Sequence, residues 1–309
     1  MILTLTVNPA IDQNVTADRL VFEDRAYIVA TSESAGGRGI NASCVIHSFG
    51  GETLAIAASG GKAGKRFEQM LCGCGFPFEI VPVAKGIRTN LTISDRQGLT
   101  IKLNQPGPRL SKRELARLGE AVSGKLAGAD WLMLCGSLPP GAPGEFYSKL
   151  IQAAHKLGVK TLLDTDGEAL IEGVRAGPAV AAPNQQEAER LLNTALITRS
   201  HFLDAAAEIR RMGAGSVILS LGSRGAVGAW ERGMIEVTPP RVEAVCPIGS
   251  GDALAAAFTW AMARTGDFAD ALRWGVAAGT ASAAFPGLRF AGLDQTREIY
   301  PRVEVHEAS

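Results

Sequence analysis

The chain has 309 residues, 46 % of them hydrophobic, and its 31 lysines and arginines balance its 31 aspartates and glutamates. That length and apolar content suit a large α/β unit with a packed core, and zero net charge excludes a general nucleic-acid binder, which needs a basic excess or stripe. No stretch approaches the roughly 20 apolar residues of a membrane helix.

The start, Met1-Ile2-Leu3-Thr4-Leu5-Thr6-Val7-Asn8-Pro9, reads as a strand and turn. It lacks the charged region and long apolar run of a signal peptide, so a cytoplasmic location is expected. Residues 11–31 alternate and carry acids and bases, which predicts exposed strands. A helix over 39–49 stops at Gly50-Gly51, followed by a strand over 53–58 and a helix over 62–72. Between 88 and 104 two alternating runs flank Asp95-Arg96-Gln97-Gly98, a hairpin signal. Its sides are half polar, so the expectation is a small sheet with one open face. From 111 onward helices (111–126, 143–157, 168–175, 185–193, 202–212) alternate with apolar strands (131–135, 159–163, 179–181, 216–220). Continuous apolar strands between helices mean a parallel sheet covered on both faces. Ligands in such folds bind beyond the carboxyl ends of the strands, where Gly136-Ser137, Asp164, Asn184 and Gly222 fall. The expected architecture is one α/β domain over 1–309, with a small β insertion from segments near 11–33 and 88–104.

Gly249-Ser250-Gly251-Asp252 then precedes the apolar run Ala253-Leu254-Ala255-Ala256-Ala257-Phe258. A glycine turn feeding a helix offers backbone N–H groups and a partial positive charge to an anion. A carboxylate beside it can take a proton from an attacking hydroxyl. Asp252 reads equally well as a helix cap. Gly61-Lys62-Ala63-Gly64-Lys65-Arg66 is not a phosphate-binding Walker loop, because Arg66 and Ser59 stand where that motif needs Ser or Thr and Gly. Ala35-Gly36-Gly37-Arg38-Gly39-Ile40-Asn41 fits no dinucleotide fingerprint, which counts against a nicotinamide dehydrogenase. It reads as a backbone cradle with Arg38 for an anion and Asn41 for hydroxyls, or as an ordinary glycine turn. Asp12 can accept two bonds from vicinal hydroxyls, or close an Asx-turn. Arg25, Arg88 and Lys102 fall in the lid-like segments; a guanidinium suits phosphate, and each alone also reads as solvated charge. Asn184 and Glu187 have the spacing of a capping box, with water-mediated Mg²⁺ handling as the other reading. Five cysteines, Cys44, Cys72, Cys74, Cys135 and Cys246, read as free thiols, and Cys72-Gly73-Cys74 lacks a metal-site spacing.

In their order these motifs resemble the PfkB branch of the ribokinase-like sugar kinases. The matching residues are Thr6-Val7-Asn8-Pro9-Ala10-Ile11-Asp12, Gly36-Gly37-Arg38-Gly39-Ile40-Asn41, Lys85-Gly86-Ile87-Arg88-Thr89-Asn90, Gly136-Ser137-Leu138-Pro139-Pro140-Gly141, Leu163-Asp164-Thr165, Pro183-Asn184-Gln185-Gln186-Glu187, Ser220-Leu221-Gly222-Ser223-Arg224-Gly225 and Gly249-Ser250-Gly251-Asp252. The resemblance implies a ribokinase-like three-layer αβα sandwich with a mostly parallel sheet and a β-sheet lid. It implies an ATP- and Mg²⁺-dependent phosphotransferase with Asp252 as base and the N–H groups of Gly249, Ser250 and Gly251 as anion hole. Asp12, Arg25, Gly36, Gly37, Arg38, Asn41, Arg88, Lys102 and Ser137 would hold the sugar. Asn184, Glu187, Ser220, Gly222 and Gly225 would serve the nucleotide, with Glu187 meeting the metal through water. Arg88 and Asn104-Gln105-Pro106-Gly107-Pro108 are similar to the phosphofructokinase and tagatose-6-phosphate kinase subgroup, implying fructose 1-phosphate, fructose 6-phosphate or tagatose 6-phosphate as acceptor. The resemblance also implies a homodimer through the lid and admits K⁺ as an activator.

Three departures stand out. Ser250 replaces an alanine, Ala182 replaces a lysine, and Cys246-Pro247 replaces a polar pair, with proline removing a donor. A catalytically weak sugar-phosphate-binding regulator and a kinase for an unphosphorylated sugar or nucleoside are the competing readings.

Overall fold

A computed structural model describes every residue except Phe22, Gly98, Pro286 and Ser309. Gly98 of the expected 95–98 turn thus lies outside the described residues. The strands are β1 (Ile2–Thr6), β2 (Ala10–Ala17), β3 (Ile28–Gly36), β4 (Thr53–Ser59), β5 (Phe78–Pro82), β6 (Arg88–Ser94), β7 (Thr100–Asn104), β8 (Trp131–Cys135), β9 (Lys160–Asp164), β10 (Val180–Ala181), β11 (Ser216–Ser220), β12 (Ala226–Trp230), β13 (Gly233–Thr238) and β14 (Glu304–Glu307). The helices are α1 (Arg38–Ser48), α2 (Gly61–Cys72), α3 (Lys112–Ser123), α4 (Phe146–Lys156), α5 (Gly167–Arg175), α6 (Gln185–Leu192), α7 (Arg199–Arg211), α8 (Ser250–Thr265), α9 (Phe268–Ala283) and α10 (Leu293–Ile299).

Among the described residues the main sheet has ten strands in the order β14-β13-β12-β11-β10-β9-β8-β1-β4-β5. The strands from β11 to β5 pair in parallel, whereas β12, β13 and β14 extend the edge antiparallel. The strand period of two divides each strand between two cores. Leu132 and Leu134 of β8 join Leu118, Tyr147, Leu170 and Phe202 on one face. Trp131, Met133 and Cys135 join Ile46, Phe258 and Leu272 on the other. Helices α3, α4, α5 and α7 cover the first face, and α1, α8 and α9 the second, which is the three-layer sandwich expected.

The second sheet has the order β3-β2-β6-β7, with β2 and β6 parallel and the other pairs antiparallel. Its partners come from the two segments that alternate in the sequence. β1 runs through Val7-Asn8-Pro9 directly into β2, and β3 runs through Gly37 into α1. The small sheet therefore projects from the carboxyl end of β1, above the edge of the main sheet where ligands bind.

The β12–β13 hairpin, β14, α9 and α10 were not expected from the sequence. Gly228 sits within β12 because a Cβ there would lie 2.6 Å from Leu272 and 2.7 Å from Phe268. β14, Glu304-Val305-His306-Glu307, is a four-residue exposed edge with one apolar residue.

Candidate active site

The lid sheet presents a polar inner stripe because its side chains alternate. Strand register sets Asp12 beside Asn90 and Asn90 beside Asn104, then Asn14 beside Thr92 and Thr92 beside Lys102. All six line a cavity of about 250 Å³ whose other walls include Gly37, Asn41, Ser137 and Asp252. Asn90 Nδ2 donates to Asp12 Oδ1 at 2.8 Å. Burial raises the Asp12 pKa above the ordinary carboxylate value, opposed by that bond and by the charge of Arg88. Gly36 has no alternative here: a Cβ would lie 1.9 Å from Asp12 Oδ2. Arg88, at the first position of β6, donates from Nη1 to the Gln105 carbonyl at 3.1 Å, which turns the guanidinium along the cavity wall. Four buried polar atoms on residues lining this cavity have no partner: Thr6 Oγ1, Asn8 Oδ1, Arg88 Nε and Asn90 Oδ1. Thr6 Oγ1 lies against Gly39 and Asn8 Oδ1 against Gly107, so these two are enclosed by backbone; the cavity wall itself, with Asp12, Asn14, Asn41, Asn90 and Asn104, offers the donors and acceptors a polyhydroxylated guest needs.

A second cavity, of about 290 Å³, lies beyond the ends of β9, β10 and β11, lined by Asp164, Ala182, Asn184, Glu187, Ser220 and Gly251 among others. Arg38, Lys102, Gly249 and Asp252 line both cavities and form the seam between them. Asp252 is the third residue of α8 and accepts from Asn41 Nδ2 at 2.6 Å. The alanine-rich run after it is buried between α1 and α9, where small side chains let the helices approach and carry the carboxylate inward. Burial, then the charge of Asp164, pushes the Asp252 pKa up to about 7, against the opposing pull of Arg38 and Asn41. A carboxylate poised there suits general-base work near neutral pH.

Arg38 is tied to three carboxylates: Asp164 at 2.7 Å, Glu187 at 2.9 Å and Asp166 at 3.4 Å. Glu187 is 5 % exposed, and burial raises its pKa while Arg38 opposes the shift. The capping box is also present. Asn184 N–H donates to Glu187 Oε2 and Glu187 N–H donates to Asn184 Oδ1, both at 2.9 Å. One glutamate thus stops the helix end and holds the arginine.

Gly37, Arg38, Asn41, Arg88, Lys102, Ser137 and Asp12 meet in the lid-side cavity, and Asn184, Glu187 and Ser220 in the other. Five expected site residues line neither cavity. Arg25 lies in the exposed loop before β3, not in a strand, with its N–H on Asp24 Oδ1. Gly36 lies behind Asp12. Gly225 (φ 93°) lets β12 pass under Val237, whose carbonyl would be 1.9 Å from a Cβ, and Gly222 (φ 62°) shapes the same turn. Ser250 directs both its N–H, at 3.3 Å, and its hydroxyl, at 2.8 Å, to the Pro247 carbonyl. Of the three N–H groups expected in the anion hole, one is therefore turned away, with Gly249 and Gly251 remaining on the cavity walls. Asp166, Asn8, Asn14, Asn90, Thr92 and Asn104 were not expected to line the site; for the lid residues, alternation at i and i+2 was the available signal.

Fold and cleft together define an α/β protein with a small-molecule site, a partly buried carboxylate standing between two polar cavities. Residues 6–295 match the pfkB family carbohydrate kinases. The chain is 33 % identical to ATP-dependent 6-phosphofructokinase isozyme 2 of Escherichia coli K12 over 97 % of both chains. It is 28 % identical to 1-phosphofructokinase of Borreliella burgdorferi over 92 % of both. It is 27 % identical to tagatose-6-phosphate kinase of Staphylococcus epidermidis over 99 % of this chain and 100 % of that one. Phosphofructokinase-2 of Escherichia coli, solved in complex with potassium, superimposes with a TM-score of 0.91 at 33 % identity, covering 97 % of this chain and 98 % of that one; the same enzyme has been solved with fructose-6-phosphate and as a tetrameric inhibited form. The protein belongs to the pfkB family of carbohydrate kinases and is a phosphotransferase acting on a hydroxyl group. No helix among the described residues is long and apolar enough to cross a membrane.

Proposed function

We propose that the protein transfers the γ-phosphoryl group of ATP to a free hydroxyl of a ketohexose phosphate, fructose 1-phosphate, fructose 6-phosphate or tagatose 6-phosphate, giving a bisphosphate. The names of the three relatives support this acceptor class. The observation that carries the reading is the single carboxylate, Asp252, at the seam of two cavities, one walled by the polar lid and one by the strand ends.

In this reading residues 1–309 act as one kinase unit. Asp12, Asn41 and the lid asparagines hold the sugar hydroxyls, and Arg88 holds the phosphate already present. Asp252 takes the proton of the attacking hydroxyl while the helix N-terminus at Gly249 and Gly251 stabilises the charge of the transferring group. The lid keeps water from the phosphoryl group. Mg²⁺ supplies charge neutralisation when bound with the nucleotide. Asp164 and Glu187 would offer it the hard oxygens it prefers; both Glu187 oxygens already accept from protein donors, which fits a contact made through water.

The outer lid face carries exposed Tyr27, Ile28, Val29, Ile101 and Leu103, which supports a homodimer formed through the lid. A second reading, a sugar-phosphate-binding regulator with little turnover, draws on the diverted Ser250 N–H and on uncharged Ala182 in the nucleotide cavity. The test measures ADP release from Mg·ATP with ketohexose phosphates, free hexoses and nucleosides, in KCl and in NaCl. Turnover confined to the ketohexose phosphates is expected. Tight binding without turnover favours the regulator, and activity only on unphosphorylated sugars removes the role given to Arg88.

A further inference from the structure

Four residues line both cavities, and three are accounted for. Asp252 is the base, Gly249 offers backbone, and Arg38 has its charge matched by three carboxylates. The fourth, Lys102, sits on exposed β7, and among the described residues no carboxylate lies within ion-pairing distance of it. The seam is strongly negative. Asp252 stands on it, Asp164 and Glu187 line the nucleotide cavity beside it, and Asp12 and Asp166 the lid-side cavity, against Arg38 and Arg88, before any phosphate enters. The floor of the nucleotide cavity adds no cation, since Ala182 is there.

The geometry points to Lys102 as a catalytic residue that reaches across the seam and contacts the phosphoryl group in transit, resting on the reading of the two cavities given above. The acceptor oxygen forms its bond to phosphorus as the bond to the departing ADP oxygen breaks, and the hydroxyl proton passes to Asp252. The Lys102 ammonium offsets the charge that spreads over the equatorial oxygens. An ammonium on a flexible four-carbon stem can follow a moving group better than a fixed planar fork. Among the described residues β7 is the outermost lid strand and pairs with β6 alone, with Thr92 opposite Lys102. The cation therefore arrives with the lid, so that closing the site and neutralising it become one event.

The test compares Lys102→Met and Lys102→Arg with the unaltered enzyme, varying ATP and the sugar phosphate separately. Loss of one transition-state contact lowers kcat about 10²–10³-fold while both KM values stay within about threefold. K102R, which keeps the charge, recovers most of kcat. A raised sugar-phosphate KM at unchanged kcat overturns the proposal, as it makes Lys102 an acceptor ligand only. Equal loss in K102M and K102R also overturns it, because it marks a structural role. If the unaltered enzyme phosphorylates ketohexose phosphates and K102M does so at full kcat, this inference fails alone. If the unaltered enzyme transfers to no acceptor, both readings fail.

Discussion

Replacing Asp252 by Asn should make the ligand-free protein more stable and nearly inactive at the same time. The Asp252 carboxyl titrates at about 7, against an ordinary 3.8, chiefly because burial penalises its charge. At about 1.4 kcal/mol per pH unit, holding it ionised at pH 8.5 costs at most roughly 4 kcal/mol. The side chain is only partly buried, so solvent screens much of this, leaving about 1–2 kcal/mol. The sign follows from a raised folded-state pKa. The wild-type protein has this stability in full below about pH 4, and loses it as the pH rises towards 7. The amide of D252N carries no such penalty, and it can turn its oxygen to Asn41 Nδ2. Its Tm at pH 8.5 should exceed that of the wild type by about 2–4 °C, and the difference should vanish near pH 4. Losing the base should lower kcat by about 10²–10⁴-fold. Scanning calorimetry across pH and steady-state kinetics measure the two effects. Equal Tm values at pH 8.5, or near-normal turnover, would refute the reasoning.

The other residues make separable predictions. Arg88→Met removes a charge-assisted phosphate contact of about 1.5–3 kcal/mol and should raise the sugar-phosphate KM about 10- to 100-fold, leaving the ATP KM unchanged in initial-rate assays. Glu187→Gln keeps a capping side chain but loses the ion pair with Arg38 at 2.9 Å; the Mg²⁺ concentration for half-maximal rate should rise about tenfold or more, with little change in the sugar-phosphate KM. Ile101→Lys with Leu103→Lys places two charges on the outer lid face and should shift sedimentation velocity from an oligomer to a monomer; an unchanged sedimentation coefficient would remove the lid as the contact.

The sandwich was legible in the sequence because its parallel strands are continuous apolar runs between amphipathic helices. The edge was not: Gly228 weakens the strand pattern of β12, and β14 is too polar and too short to signal a strand. In the site, residue type gave the charge of Arg38 but not its use. Its partners Asp164 and Glu187 lie 126 and 149 residues away, and only the fold converts an anion-binding candidate into a hub for three carboxylates. Asn184 and Glu187 invited a choice between cap and site that the geometry does not require. Gly225 looked like part of a nucleotide loop, yet its backbone angle and the Val237 carbonyl explain it by packing. The Pro247 carbonyl accepts the Ser250 N–H that an anion hole would use, but any residue at 247 offers that carbonyl, and nothing in the structure explains the Cys246-Pro247 departure.

The central claim is that Asp252 deprotonates a hydroxyl of a ketohexose phosphate for attack on ATP. Phosphorus-31 NMR of the protein incubated with Mg·ATP and each of fructose 1-phosphate, fructose 6-phosphate and tagatose 6-phosphate tests it most directly. The account predicts a ketohexose bisphosphate in one-to-one ratio with ADP from at least one of them, and none with D252N. ADP with inorganic phosphate and no bisphosphate, or equal bisphosphate from D252N, would contradict it.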